Sequence, residues 1–301
     1  MTKLRVWFLL LIIILLSACL PARQSVRLAL LGDLMIGRGM HPSAASLAYL
    51  SPQLKAADLS LANLESPLTN GGMDTPSEDG YDLCAPASRA VFLPAWGMDM
   101  LSLANNHRFD CGPSGVAASE QALNALGLTP LVSGPAPIYR TINGLKLAFL
   151  AFDDILTPID PAVVVQAIQS VRVSGAVVVV LVHWGMEYQS GASARQEALA
   201  RQFADAGAAL IVGTHPHVLQ PAAWIPTARG KTLVLYSLGN ALFDQPGLPD
   251  TRQSALVLVT LTASGVQSTK VVPFEIDPAG SRVLPADAQA AAHIRQDLGL
   301  P

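Results

Sequence analysis

An α/β fold is predicted by three features of this 301-residue sequence. Short apolar runs rich in Val, Leu and Ala recur along the chain, as buried strands do. Stretches with apolar residues at helical spacing separate several of them. Polar residues of metal-ligating type stand just after one such run after another, where open α/β sheets place their ligands.

Taken in order, Val26–Leu31 reads as a buried strand and Asp33 stands just beyond it. A helix-like stretch over Ala44–Ala56 leads to a second strand, Leu59–Leu64, with Asn63 and Glu65 sharing a face at spacing two. Thr69–Tyr81, rich in Gly, Asp, Pro and Ser, is the most loop-like part of the chain. Ala87–Trp96 reads as a short helix and Met98–Ala104 as a strand ending in Asn105-Asn106-His107-Arg108-Phe109-Asp110. A helix over Ser114–Leu126 is closed by Gly127.

Leu145–Phe152 and Ala176–Val182 are two further apolar strands, the second running into His183-Trp184-Gly185-Met186-Glu187-Tyr188. Ser193–Ala206 is helical, with Leu199 and Phe203 four apart and Gly207 as its stop. The strand Ala208–Val212 ends at Gly213, and His215 and His217 follow on either side of Pro216. Beyond a strand end, an i,i+2 pair stiffened by proline can aim both imidazoles into one cavity. Strands over Leu233–Tyr236, Ala255–Leu261 and Thr269–Phe274 and a helix over Ala286–Leu298 complete the pattern.

The length admits one large domain or two small ones. The chain is 51% hydrophobic and only 14% charged, against a usual charged share of about 25%, which points to extensive buried sheet. Its formal charge is −3 and it has no basic stripe, so nucleic acid is excluded as the expected partner.

Lys3 and Arg5 precede an apolar run, Val6–Leu16, that is short for a membrane span. The run ends in Leu16-Ser17-Ala18-Cys19, which resembles the bacterial lipobox. That resemblance implies a lipoprotein signal peptide over 1–18, lipidation of Cys19, a tether over 19–25, a folded domain over 26–301, and a membrane-anchored protein on the extracytoplasmic face. An ordinary secretory signal or a retained anchor helix are the competing readings. Cleavage would leave 17 basic against 22 acidic side chains, a net −5. Cys84 and Cys111 would then be either a disulfide or two separate buried thiols.

Asp33, Glu65, Asn106-His107, His183, His215 and His217 all sit just past strands, whose ends converge on one sheet edge. Imidazoles mixed with carboxylate and amide oxygens suit Mn, Fe or Zn as a divalent cofactor. The segments Gly32–Arg38, Ala62–Glu65, Leu103–Asp110, His183–Tyr188, Gly213–Val218 and Tyr236–Asn240 occur together in an order that resembles the CapA-like, or poly-γ-glutamate capsule synthesis, proteins. These are similar to calcineurin-like metallophosphoesterases.

The resemblance implies a sandwich of two sheets flanked by helices, with one or two metal ions along one edge. Asp33 and His217 would hold one ion, Asn106, His183 and His215 the other, and Glu65 would bridge them. His107 would face the substrate and protonate a leaving group. Met35 stands where the wider superfamily has a histidine, which leaves the first ion with fewer ligands. The implied function is metal-dependent hydrolysis, or non-catalytic handling, of an anionic envelope polymer or its precursors. Other capsule-synthesis membrane proteins would be partners.

Arg38 has two readings, a counter-charge for an anionic substrate or a solvated loop residue. Glu187 and Asp244 each have two readings, partners that orient the histidines or ordinary surface charges. His41 and His293 are expected to be structural or solvated, Trp184 to be packing rather than a surface for stacking substrate, and Asp110 to shape the loop of Asn106 and His107.

Overall fold

The computed structural model describes residues 24–71, 82–245 and 247–300. The signal segment 1–18, Cys19, most of the 19–25 tether and most of the 69–81 loop lie outside the described residues.

The chain begins with β1 (Ser25–Leu34), α1 (Ser51–Ala56), β2 (Leu59–Leu64), β3 (Leu68–Thr69), β4 (Ala85–Pro86) and α2 (Phe92–Trp96). It continues through β5 (Met100–Ser102), α3 (Gly115–Ala125), β6 (Thr129–Leu131), β7 (Gly134–Ile142), β8 (Leu145–Asp153) and α4 (Pro161–Val173). Then come β9 (Val177–His183), α5 (Ala194–Ala206), β10 (Ala208–Thr214), β11 (Leu219–Thr227), β12 (Gly230–Leu238) and β13 (Asn240–Leu242). The hairpin β14 (Gln253–Thr262) and β15 (Gly265–Ile276), β16 (Val283–Pro285) and α6 (Ala288–Leu298) close it.

Two sheets face each other. The first runs β16-β15-β14-β1-β2-β5-β6, with β13 also paired to β1; the second runs β11-β12-β10-β9-β8-β7. Side chains from both, such as Leu28, Leu30, Leu61, Phe149, Val179, Leu210, Leu235 and Val257, form one apolar layer between them, joined by Ile294 and Leu298 of α6. A second cluster packs the outer face of the first sheet against α1, α2 and α3. A third packs α4 and α5 onto the second sheet. The α/β sandwich of two sheets flanked by helices is therefore the observed architecture.

Each strand of the parallel core, β1, β2, β5, β8, β9, β10 and β12, points the same way within its sheet. Their carboxyl ends consequently gather on one edge of the sandwich. The helix expected over 44–56 starts only at Ser51, because the preceding residues form turns and Pro52 occupies the first helical turn.

The helix α4 was not read from the sequence. Its Val163-Val164-Val165 run looks strand-like, yet Asp160 accepts a hydrogen bond from the amide of Ala162 (2.9 Å) and Pro161 opens the helix. The strands β6, β7, β11 and β16 were also missed. All four are sheet edges, and all four carry proline, at positions 130, 135, 137, 221, 226 and 285. Proline cannot donate to a ladder and so is tolerated at an edge, where it also blocks further pairing.

Candidate metal centre

The converging strand ends bring seven of the sequence-predicted polar residues to one place. Asp33 ends β1, Glu65 follows β2, Asn106 and His107 follow β5, His183 ends β9, and His215 and His217 follow β10. Gly32 and Gly213 let the backbones crowd there: a Cβ on either would overlap the carbonyl of Gly239 or of Tyr236.

Asp33 and Glu65 are fully buried. Asp33 is held from two sides, accepting from Asn63 Nδ2 (2.8 Å) and from the backbone N–H of His215 (3.0 Å). Glu65 differs: both of its carboxyl oxygens are buried without a hydrogen-bond partner. Three imidazole Nε2 atoms face its Oε1, those of His183 and His217 at 3.8 Å and that of His107 at 3.9 Å. Such separations are too long for hydrogen bonds, yet fall within twice a typical 2.0–2.2 Å metal–ligand bond.

An orphaned buried carboxyl costs free energy unless an ion or a proton satisfies it. Among the described residues two donor groups meet this need, Glu65 with His183 and His215, and Asp33 with Glu65 and His217. The amide oxygen of Asn106 joins the first, 2.8 Å from His183 Nε2, while His215 Nδ1 lies 3.2 Å from the same nitrogen. A cation or proton among these atoms relieves their crowding. The residues present fit a divalent ion, and they fall into the same two groups that the family resemblance implies.

The imidazoles are oriented by groups the sequence reading passed over. His217 Nδ1 meets Asn240 Oδ1 (2.9 Å), and the Asn240 amide is itself fixed by donating to Gln245 Oε1 (2.9 Å) and to the carbonyl of Thr251 (3.1 Å). An amide oxygen only accepts, so Nδ1 carries the proton and Nε2 presents a lone pair to the cluster. His183 Nδ1 is contacted by Thr214 Oγ1 (3.0 Å) and by the Asn63 amide nitrogen (3.3 Å), which fix the plane of its ring. Asn105 ties the loop by donating to Asn63 Oδ1 (3.1 Å) and to the carbonyl of Leu64 (2.9 Å) and accepting from the N–H of His107 (3.1 Å). The signal available in the sequence was position: Asn63, Asn105, Thr214 and Asn240 all lie within a few residues of strand ends.

Both His215 (φ 99°) and His217 (φ 60°) occupy left-handed backbone. Non-glycine residues pay for that conformation, which persists where surrounding structure over-determines it, often at functional sites. Here the His215 conformation lets its N–H reach Asp33.

Burial also sets the protonation states. It pushes Asp33 up to about 7, against the opposing pull of its two hydrogen bonds. Burial first, and then the charges of Asp33 and Glu187, raise Glu65 well above its usual range. It lowers His215 to about 4, His217 to about 3, and His183 well below the ordinary imidazole value. His183, His215 and His217 are therefore neutral around neutral pH, the form that ligates metals.

His107 stands at the rim, its side chain 17% exposed, with Nδ1 2.8 Å from Asp110 Oδ2. The same Asp110 oxygen accepts from the N–H of Leu83 (2.8 Å), and Cys84 and Cys111 beside them form a disulfide, so the two cysteines are one staple rather than separate thiols. Asp110 thus orients His107 as well as shaping the loop.

Asp244 does not orient a histidine; it forms an ion pair with Arg38, which lies over the Phe243 ring at the edge of the cluster. Glu187 is exposed and acts on Asp33 and Glu65 through its charge. Met35 is fully buried in the apolar layer under α1–α3. Trp184 is buried packing, donating to the carbonyl of Tyr236 (2.9 Å), and His41 and His293 lie outside the cluster, the latter beside Asp297.

A family model described as bacterial capsule synthesis protein PGA_cap matches residues 27–245, a span that contains every residue of the cluster. The PGA biosynthesis protein CapA of Bacillus subtilis (strain 168) is 32% identical over 274 residues, covering 82% of this chain and 71% of that protein. The capsule biosynthesis protein CapA of Bacillus anthracis is 31% identical over 284 residues, covering 84% and 68% respectively. A crystal structure of a hypothetical protein from Thermus thermophilus shares the fold, with a TM-score of 0.53 at 17% identity over 83% of this chain and 99% of that one. With the family model spanning most of the chain and two relatives above 30% identity over most of their length, this chain belongs to the bacterial capsule synthesis protein PGA_cap family.

Proposed function

We propose that this chain is a lipid-anchored, extracytoplasmic, metal-dependent hydrolase that acts in the biosynthesis of a capsule polymer of the poly-γ-glutamate kind. The family and the names of its two relatives support the polymer class. The observation that carries the metal-dependent part is the buried Glu65 carboxyl, with no hydrogen-bond partner and ringed by three imidazoles. Asp33, Glu65 and His217 would hold one divalent ion (Mn, Fe or Zn), and Glu65, Asn106, His183 and His215 the other.

Bound ions supply Lewis acidity toward an anionic substrate and activate water. The chain's own residues do the rest. His107 presents Nε2 to the cluster while Asp110 holds Nδ1, so a proton on Nε2 is aimed at a leaving group and the resulting imidazole keeps its orientation. Arg38, partly neutralised by Asp244, places positive charge at the rim for a carboxylate or phosphate of the substrate.

The test is turnover of phosphodiester and γ-glutamyl substrates by the chain supplied with each metal in turn. His107→Ala should lower turnover by about 10²–10⁴-fold while leaving bound metal unchanged. Metal-dependent binding of the anionic polymer with no turnover of either substrate class would replace hydrolysis by a binding and export role. Equal rates with and without the His107 imidazole would remove His107 from the chemistry.

A further inference from the structure

The end of the sandwich opposite the metal-ligating cluster has a character of its own. It is built from the start of β1, the β7–β8, β11–β12 and β14–β15 turns, and the α4–β9 connection. Ser25 pairs with Thr262 next to the β14–β15 turn, and its carbonyl accepts from Asn143 of the β7–β8 turn (3.1 Å). A cavity of about 300 Å³ at this end is lined by residues in these turns and at the adjoining element ends, including Arg172, Arg229, Lys231 and Ser264.

The charge here is opposite in sign to that of the chain, which is −3 overall. Arg27, Lys146, Arg172, Arg229 and Lys231 all lie at this end, and among the described residues none of their side chains is in an ion pair with a carboxylate. The buried Nε of Arg172 has no hydrogen-bond partner. Of the nearby acids, Asp205 is paired with Arg201, and Asp58 accepts from the Arg27 N–H and from Asn143.

Apolar and aromatic groups are mixed with these cations. Val173, 83% exposed, projects from the end of α4. Lys231 lies over the ring of Trp224 and Lys146 over that of Tyr139, both rings partly exposed. Aromatic rings beside lysines and arginines are the composition of a membrane–water interface.

The covalent chain brings a bilayer to this same end. From Cys19 to Gln24 there are only five peptide steps, at most roughly 18 Å even when fully extended. We infer that this basic, aromatic end is seated on an anionic lipid surface, so that the metal-ligating cluster faces away from the bilayer. This rests on the lipid anchor at Cys19 proposed above. The ten-residue β1 connects the two ends, which sets the cluster about 30 Å out from the lipid. The substrate is then the part of a polymer that extends beyond the headgroups, rather than a group held at the membrane plane.

The test uses the full-length chain extracted from membranes of an expressing bacterium and reconstituted into phosphatidylcholine vesicles, with or without phosphatidylglycerol. Vesicles are floated in high salt, returned to physiological salt, and treated with a water-soluble lysine-acylating reagent. Mass spectrometry then compares Lys231 and Lys146 with Lys270, itself exposed at the middle of β15. Docking lowers reactivity at Lys231 and Lys146 relative to Lys270 by roughly fivefold or more in phosphatidylglycerol vesicles, and Arg172→Glu with Arg229→Glu reverses this. A chain that floats but shows the same Lys231 reactivity in both lipids overturns the docking and leaves the anchor intact. A chain that does not float overturns the anchor, and the docking with it. Protection found only in native membranes assigns the face to a protein partner and overturns the lipid assignment.

Discussion

Metal uptake by the cluster is expected to be governed by its two carboxyls rather than its three imidazoles. Burial pushes Asp33 up to about 7 and raises Glu65 well above its ordinary range. Burial also holds His215 at about 4 and His217 at about 3. At about pH 6 the imidazoles are already in their ligating form, while the carboxyls carry protons that a metal must displace. The sign of the dependence follows. A carboxyl with a raised folded pKa stabilises the metal-free chain at low pH, and that contribution is lost as pH climbs from the unfolded value toward about 7. The metal-bound chain holds no such protons, so affinity climbs through the same window. Each displaced proton gives a tenfold gain per pH unit, and two give roughly a hundredfold gain between about pH 5 and 6. Calorimetric titration with Zn or Mn in two buffers of different ionisation enthalpy reads the number of protons released. Asp33→Asn should remove one of them and about halve the slope of log affinity against pH. Affinity that is flat through this window would refute the argument, as would a slope unchanged in Asp33→Asn.

Three further outcomes are expected. His215→Ala should abolish tight metal binding, whereas His217→Ala should leave about one equivalent bound, because only the site of His183 and His215 also has Asn106; elemental analysis of the folded variants decides. Met35→His should add no metal and should lower stability by about 1–3 kcal/mol in denaturant titration, since the imidazole would enter an apolar layer. Removing the Cys84–Cys111 disulfide, which spans 27 residues, should cost on the order of 3–4 kcal/mol in the same assay.

The parallel core and the site were legible for one reason. A buried strand must be apolar, so a polar residue at its end stands out, and sheet topology then gathers those residues on one edge. The edge strands were hidden by the prolines that protect them, because proline in a run argues locally against a strand. The valine run of α4 misled in the other direction, since its helical character lies in the Asp160-Pro161 start rather than in propensity. Asn240 and Thr214 were passed over as orienting groups because their histidine partners are 23 and 31 residues away, a pairing only the fold creates. The cysteine pair was undecidable for the same reason, as spacing in sequence carries no distance. Met35 illustrates the limit of reading by position: a residue two places from Asp33 can turn into the core where the strand register shifts, as β1 does between Asp33 and Leu34.

Glu65 is proposed as the ligand that two metal ions share. The most direct measurement is the metal content of the purified chain beside that of Glu65→Gln, an isosteric change confined to the one carboxyl common to both donor groups. Loss of a ligand should exceed the roughly 10–100-fold penalty of losing an orienting partner. One to two equivalents of a divalent transition metal are expected in the unaltered chain, and none retained by a folded Glu65→Gln chain. Equal metal content in the two proteins would contradict it.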